Sequence, residues 1–104
     1  MQIFFNLIQN AIKYLEPKRR GQIHVYALVD SNKVTYCIED NGLGIAPEHL
    51  KDIFNVFYRL SPSTGEGEGV GLTIARRMAE RLGGNLSVNS KLGKGSTFFV
   101  TLPR

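Results

Sequence analysis

Four alternating glycines in Gly65-Glu66-Gly67-Glu68-Gly69-Val70-Gly71 run into Leu72, where an apolar helical stripe begins. Flexible backbone that ends at a helix N-terminus presents free amides and a partial positive charge, a natural site for phosphate. No strand leads into the run and no Lys-Ser/Thr follows it, so it is neither a dinucleotide fingerprint nor a P-loop. A later fragment, Gly93-Lys94-Gly95-Ser96, lacks the upstream glycine and opens a strand. It reads as a hairpin turn.

Two further clusters carry chemistry. In the opening segment, Asn6, Asn10, Lys13 and Tyr14 fall on one polar stripe beside an apolar one when the chain turns by ~100° per residue. Asparagine is a poor helix former, and two of them one turn apart call for a partner; the alternative is a solvated helix side. In Val34-Thr35-Tyr36-Cys37-Ile38-Glu39-Asp40, strand alternation puts Asp40 on the face of Val34, Tyr36 and Ile38, which should meet the helices. A carboxylate aimed into an interior layer is costly unless it accepts hydrogen bonds there. The residues after it, Asn41-Gly42-Leu43-Gly44-Ile45, contain two glycines that let backbone pass close to whatever Asp40 touches. A tight turn in which Asp40 serves only backbone amides is the alternative.

The elements that must hold these groups can be read from hydrophobic periodicity. Phe4, Leu7, Ile8, Ala11, Ile12 and Leu15 mark one face of a helix that Pro17 stops. No capping residue precedes it, so we expect a domain over 1–104 that is truncated at its N-terminal end. Gln22 to Asp30 reads as a strand with Ile23, Val25, Ala27 and Val29 on one face, followed by a turn at Ser31-Asn32-Lys33 and a returning strand to Asp40. Pro47 to Phe54 is a short helix, and Leu60 to Gly69 has the composition of a mobile loop. Leu72, Ala75, Met78, Ala79 and Leu82 stripe a second long helix that ends at Gly83-Gly84. Strands Asn85 to Lys91 and Ser96 to Leu102 close the chain around a turn at residues 92–95. The order predicts an α+β two-layer sandwich, with helices on one face of a mainly antiparallel mixed sheet.

Composition narrows the function. The 104 residues carry 13 Lys and Arg against 9 Asp and Glu, and 42% are hydrophobic, which fits one compact domain. One cysteine, Cys37, forbids an internal disulfide, and with only two histidines it forms no metal-ligand spacing. No run approaches the ~20 apolar residues that span a bilayer, and a signal peptide is missing, so the expected location is cytoplasmic without direct membrane contact. The net charge of +4 is not organised as a base-stacking platform, and no nucleic-acid partner is expected.

Taken together, four segments resemble the catalytic and ATP-binding domain of sensor histidine kinases. Asn6-Leu7-Ile8-Gln9-Asn10-Ala11-Ile12-Lys13-Tyr14 is similar to its N box and Asp40-Asn41-Gly42-Leu43-Gly44-Ile45 to its G1 box. Phe54-Asn55-Val56-Phe57-Tyr58-Arg59 resembles the F box, and Gly67-Glu68-Gly69-Val70-Gly71-Leu72 the G2 box. The ending, Gly95-Ser96-Thr97-Phe98 to Leu102-Pro103, resembles the family's closing strand. The match covers nearly the whole chain.

The resemblance implies the Bergerat ATP-binding fold, shared with gyrase, MutL and the large heat-shock chaperone ATPases, with ATP and Mg²⁺ as cofactors. Asn10 would coordinate Mg²⁺, Asn6 would support it, and Lys13 would contact phosphate. Tyr14 would lie along adenine or ribose, and Asp40 would accept the adenine exocyclic N–H within a binding turn that includes Gly42, Gly44 and Ile45. Arg59, beside Phe57 of the nucleotide site, would reach the γ-phosphate. Gly69, Val70, Gly71 and Leu72 would line the phosphates, and Ser96 would add a polar contact near adenine. The partners implied are ATP or ADP, a histidine-bearing dimerisation domain of the parent kinase and, indirectly, a response regulator. The isolated domain would be monomeric within a homodimeric parent, whether or not a membrane anchors that parent. His24 and His49 do not match the family's phosphoacceptor motif. Two other readings stay open: an ATP-hydrolysing machine of the gyrase or MutL type, and a degenerate nucleotide-binding regulatory module.

Overall fold

The computed structural model describes residues 2–50, 52–53 and 71–104. Helix α1 (Gln2–Lys13) leads into strands β1 (Ile23–Val29) and β2 (Lys33–Asp40). A short helix α2 (Pro47–Leu50), helix α3 (Gly71–Arg81) and strands β3 (Asn85–Lys91) and β4 (Gly95–Pro103) follow. The four strands form one sheet in the order β1-β2-β4-β3, and every pairing among them is antiparallel. Helices cover one face, giving the expected α+β sandwich.

Register explains the core. Ile38 of β2 stands opposite Val25 and Phe98, and Phe98 stands opposite Val88. The next rank on the same face is Ala27, Tyr36, Val100 and Leu86. On these ranks rest Ile3, Leu7 and Ala11 of α1, one turn apart, with Ala75 and Ala79 of α3 beside them. Ile3, Leu7, Ile38 and Val100 are wholly buried. Burying side chains of this size stabilises by roughly 1.5–3 kcal/mol each.

Three expectations shift. The α1 stripe runs through Ile3, Leu7 and Ala11, while Ile12 is 57% exposed and the helix ends at Lys13, before Pro17 acts. The early end frees the Tyr14 carbonyl, which accepts the Leu43 N–H at 2.9 Å instead of an intrahelical donor. Val25 and Val29 occupy the predicted face of β1 yet are exposed, because β1 is an edge strand and the helices among the described residues pack mainly over β2, β4 and β3. The short helix closes at Leu50, with Asp52 and Ile53 in a turn. Phe54 and the predicted loop Leu60 to Gly69 lie outside the described residues. The second helix stops as expected: Gly83 adopts φ +87°, and the Gly84 N–H donates to the Ala79 carbonyl at 2.9 Å. Among the described residues no helix is long and apolar enough to cross a membrane.

Candidate nucleotide site

At one end of the helix-facing side of the sheet, the apolar ranks give way to a polar one. Asp40, Ser96 and Ser90 stand opposite each other across β2, β4 and β3. Asp40 is half-buried, on the face that alternation assigned to it. Its Oδ1 accepts the Gly42 N–H at 2.8 Å, and the Ser96 backbone N–H favours the charged form of the carboxylate. Burial raises the Asp40 carboxyl above its ordinary value; the two backbone N–H groups pull it back, and the charge of Glu39 adds a smaller push upward. A carboxylate offers about four lone-pair positions, so the Gly42 N–H leaves it able to accept from a ligand. A cleft of about 320 Å³ opens at this end of the sheet, with Asp40, Ser90, Lys91, Lys94 and Ser96 among its walls.

The turn after Asp40 is held by contacts that only glycine permits. A Cβ on Gly42 would sit 2.4 Å from the Tyr14 carbonyl oxygen and 2.9 Å from Asp40 Oδ1. Gly44 has φ +73°, and a Cβ there would lie 2.1 Å from the Lys91 carbonyl oxygen. Ile45 buries its side chain in the core and donates its N–H to Ser90 Oγ at 2.8 Å. Ser90 Oγ also lies 3.0 Å from the Gly95 carbonyl and 2.7 Å from Ser96 Oγ. The end of α1, the Asp40 turn and the β3–β4 turn thus meet around one carboxylate.

Helix α1 brings its polar stripe to this junction. The Tyr14 N–H donates to the Asn10 carbonyl at 3.2 Å, and Lys13 Nζ lies 5.8 Å from the centre of the Tyr14 ring. Asn10 and Lys13 are half-buried on the turn that leads to Tyr14. Asn6, one turn earlier, has a buried Nδ2 with no hydrogen-bond partner among the described residues. A buried N–H of that kind costs free energy until it meets an acceptor.

The structure therefore brings Tyr14, Asp40, Gly42, Gly44 and Ser96 together, with Asn10 and Lys13 adjacent on α1. Gly71 begins α3, and the Leu72 side chain packs against the core. Phe57, Arg59, Gly69 and Val70 lie outside the described residues. His24 is exposed beside Glu39 at 3.9 Å, and His49 is exposed on α2. Sequence reasoning missed Ser90, although the alternation that placed Asp40 also aligns Leu86, Val88 and Ser90 on the helix side. It also missed Asn41, whose Oδ1 accepts the Gln22 N–H at 2.8 Å and whose Nδ2 donates to the Arg20 carbonyl at 2.9 Å.

Comparison with known proteins decides the family. The model described as "Histidine kinase-, DNA gyrase B-, and HSP90-like ATPase" matches residues 1–104. The chain belongs to this family. Among curated relatives of this ATPase-family domain, the Aerobic respiration control sensor protein ArcB of Escherichia coli (strain K12) is 39% identical over 97% of the chain. Sensor protein SrrB of Staphylococcus aureus is 38% identical over 99% of it. The chain spans only 13% and 18% of the lengths of these two relatives. Among solved structures, the mycobacterial sensor histidine kinase MprB superposes with a TM-score of 0.84 at 27% identity, covering 98% of this chain and 70% of that one. Full-length ShkA in complex with AMPPNP superposes with a TM-score of 0.82 at 31% identity, covering 98% of this chain and 20% of that one.

Proposed function

We propose that the chain binds Mg·ATP and supports transfer of the γ-phosphoryl group to a histidine on a separate dimerisation domain of a sensor kinase. The observation that carries this reading is the half-buried Asp40 at the end of an apolar sheet face, its Oδ1 held by the Gly42 N–H, beside the C-terminal end of α1. Asp40 accepts the exocyclic N–H of adenine, with Tyr14 against the base or ribose and Ser96 nearby. Gly42, Gly44 and Ile45 shape the turn on which this depends. Lys13 sets a positive charge toward the phosphates, and Arg59, with Phe57, Gly69, Val70, Gly71 and Leu72, completes the phosphate side. Transfer then rests on positioning and charge neutralisation.

The donor chemistry fits a magnesium ion held mainly by the nucleotide. Asn10 supplies a neutral amide oxygen, and no group of three His, Cys, Asp or Glu side chains that could cage a cation occurs among the described residues. The ion would neutralise phosphate charge; the Nδ2 of Asn6, without a partner among the described residues, supplies a donor for an acceptor in the same region. Asn6 also argues against the hydrolytic reading. It lies one helical turn before Asn10, and an amide there cannot take a proton from water as a carboxylate could. Retention of Asn10, Lys13, Asp40 and Arg59 argues against a degenerate module. Phosphate passes onward to a response regulator from the histidine, not from this chain, and the parent kinase is read as a homodimer.

Incubation with γ-labelled ATP tests the proposal. The chain alone is expected to bind nucleotide, retain no acid-labile label and release phosphate slowly. Added in trans to a dimerisation domain with its cognate histidine, it is expected to label that domain. Absence of ATP binding, or rapid phosphate release without a partner, overturns the reading.

A further inference from the structure

Arg19 lies outside every motif that points to nucleotide, yet its guanidinium joins the two turns that bracket Asp40. Its Nη2 donates to the Gly93 carbonyl at 2.8 Å and to the Gly42 carbonyl at 3.3 Å. Gly42 is the residue whose N–H holds Asp40 Oδ1, so a single residue links the guanidinium to the carboxylate. Gly93 is a positive-φ residue of the β3–β4 turn, and its N–H donates to the Leu43 carbonyl at 2.8 Å.

We propose that Arg19 is a positioning residue of the nucleotide site, locking the Asp40 turn to the β3–β4 turn so that the carboxylate is presented in its binding orientation. This inference rests on the ATP reading given above. Arg19 touches neither Asp40 nor the ligand in this assignment; it acts through the Gly42 and Gly93 carbonyls. The segment that carries it is itself tied to the residue after Asp40. The Arg19 N–H donates to the Glu16 carbonyl at 3.3 Å, and the neighbouring Arg20 and Gln22 are tied to Asn41 through the Asn41 side chain and the Asn41 N–H. A guanidinium carried on so constrained a segment loses less conformational freedom on forming its bonds than one on a free loop. The turns it joins are rich in glycine, whose wide conformational range makes an external tether consequential. The alternative is a surface arginine that satisfies two carbonyls with no effect on ligand.

The test measures ADP affinity by calorimetry and amide exchange by NMR for the wild-type chain and Arg19→Ala. Arg19→Ala is expected to weaken ADP binding about threefold to tenfold and to accelerate exchange at Gly93, while the core amide of Phe98 exchanges as in wild type. Unchanged ADP affinity in the variant overturns the proposal. So does equal acceleration at Gly93 and Phe98, because loss of global stability then accounts for any weakening. A wild-type chain that binds no ADP overturns the ATP reading itself, and the Arg19 proposal with it.

Discussion

Replacing Asp40 by Asn separates the cost of holding a carboxylate at the sheet end from the use made of it. In the free protein the amide oxygen of the Asp40→Asn variant can still accept the Gly42 N–H, which lies 2.8 Å from Oδ1 in the native turn. What disappears is the charge, whose burial already raises the Asp40 carboxyl above its ordinary value. Stability of the unliganded chain is therefore expected to change by less than about 1 kcal/mol, in either direction. Binding should respond differently. On the proposed reading the lost interaction is one hydrogen bond from adenine to an ionised acceptor, worth about 1.5–3 kcal/mol, and the new amide presents N–H groups toward a donor. At about 1.4 kcal/mol per decade, ADP affinity should fall about 10- to 150-fold. Calorimetry gives the affinity and a thermal melt of the free chain gives the stability. ADP affinity within twofold of wild type, or a fall in affinity matched by a melt several degrees lower, would refute the assignment of Asp40 to the base.

The same carboxylate makes stability depend on pH. Because the folded form of Asp40 holds its proton more tightly than the unfolded chain does, its contribution to stability is largest below the unfolded value near 3.8 and is lost as pH rises through the higher folded value. Urea midpoints of Asp40→Asn should lack this part of the wild-type decline across that window; identical pH profiles would contradict the burial argument. Ser90→Ala leaves the Ile45 N–H without its 2.8 Å acceptor and should cost about 1–3 kcal/mol by urea denaturation, with Ser90→Thr milder if its methyl is accommodated. Gly44→Ala forces a side chain into φ +73° and against the Lys91 carbonyl, so a loss above about 2 kcal/mol is expected, against no change if that turn can relax.

Local rules in the sequence determined the elements and the face of one half-buried acid. Period 3.6 marks α1 and α3, period 2 marks the strands, and Gly83-Gly84 ends a helix, because each depends on residues a few positions apart. The same alternation put Asp40 on the helix side of β2 before any partner was known, and the spacing of the four boxes carried the family. Which strands neighbour one another was decided only by tertiary structure. Insertion of β4 between β2 and β3 sets Ser96 and Ser90 in line with Asp40, although most of the second half of the chain separates Asp40 from Ser96. Tertiary structure also sets the helices over β2, β4 and β3, so that Val25 and Val29 of β1 are exposed despite a strand pattern that reads as half-buried. Arg19 and Asn41 were illegible for a related reason. Their roles lie in hydrogen bonds to backbone carbonyls and amides, which every residue possesses, and only the folded chain specifies which of those groups come within reach.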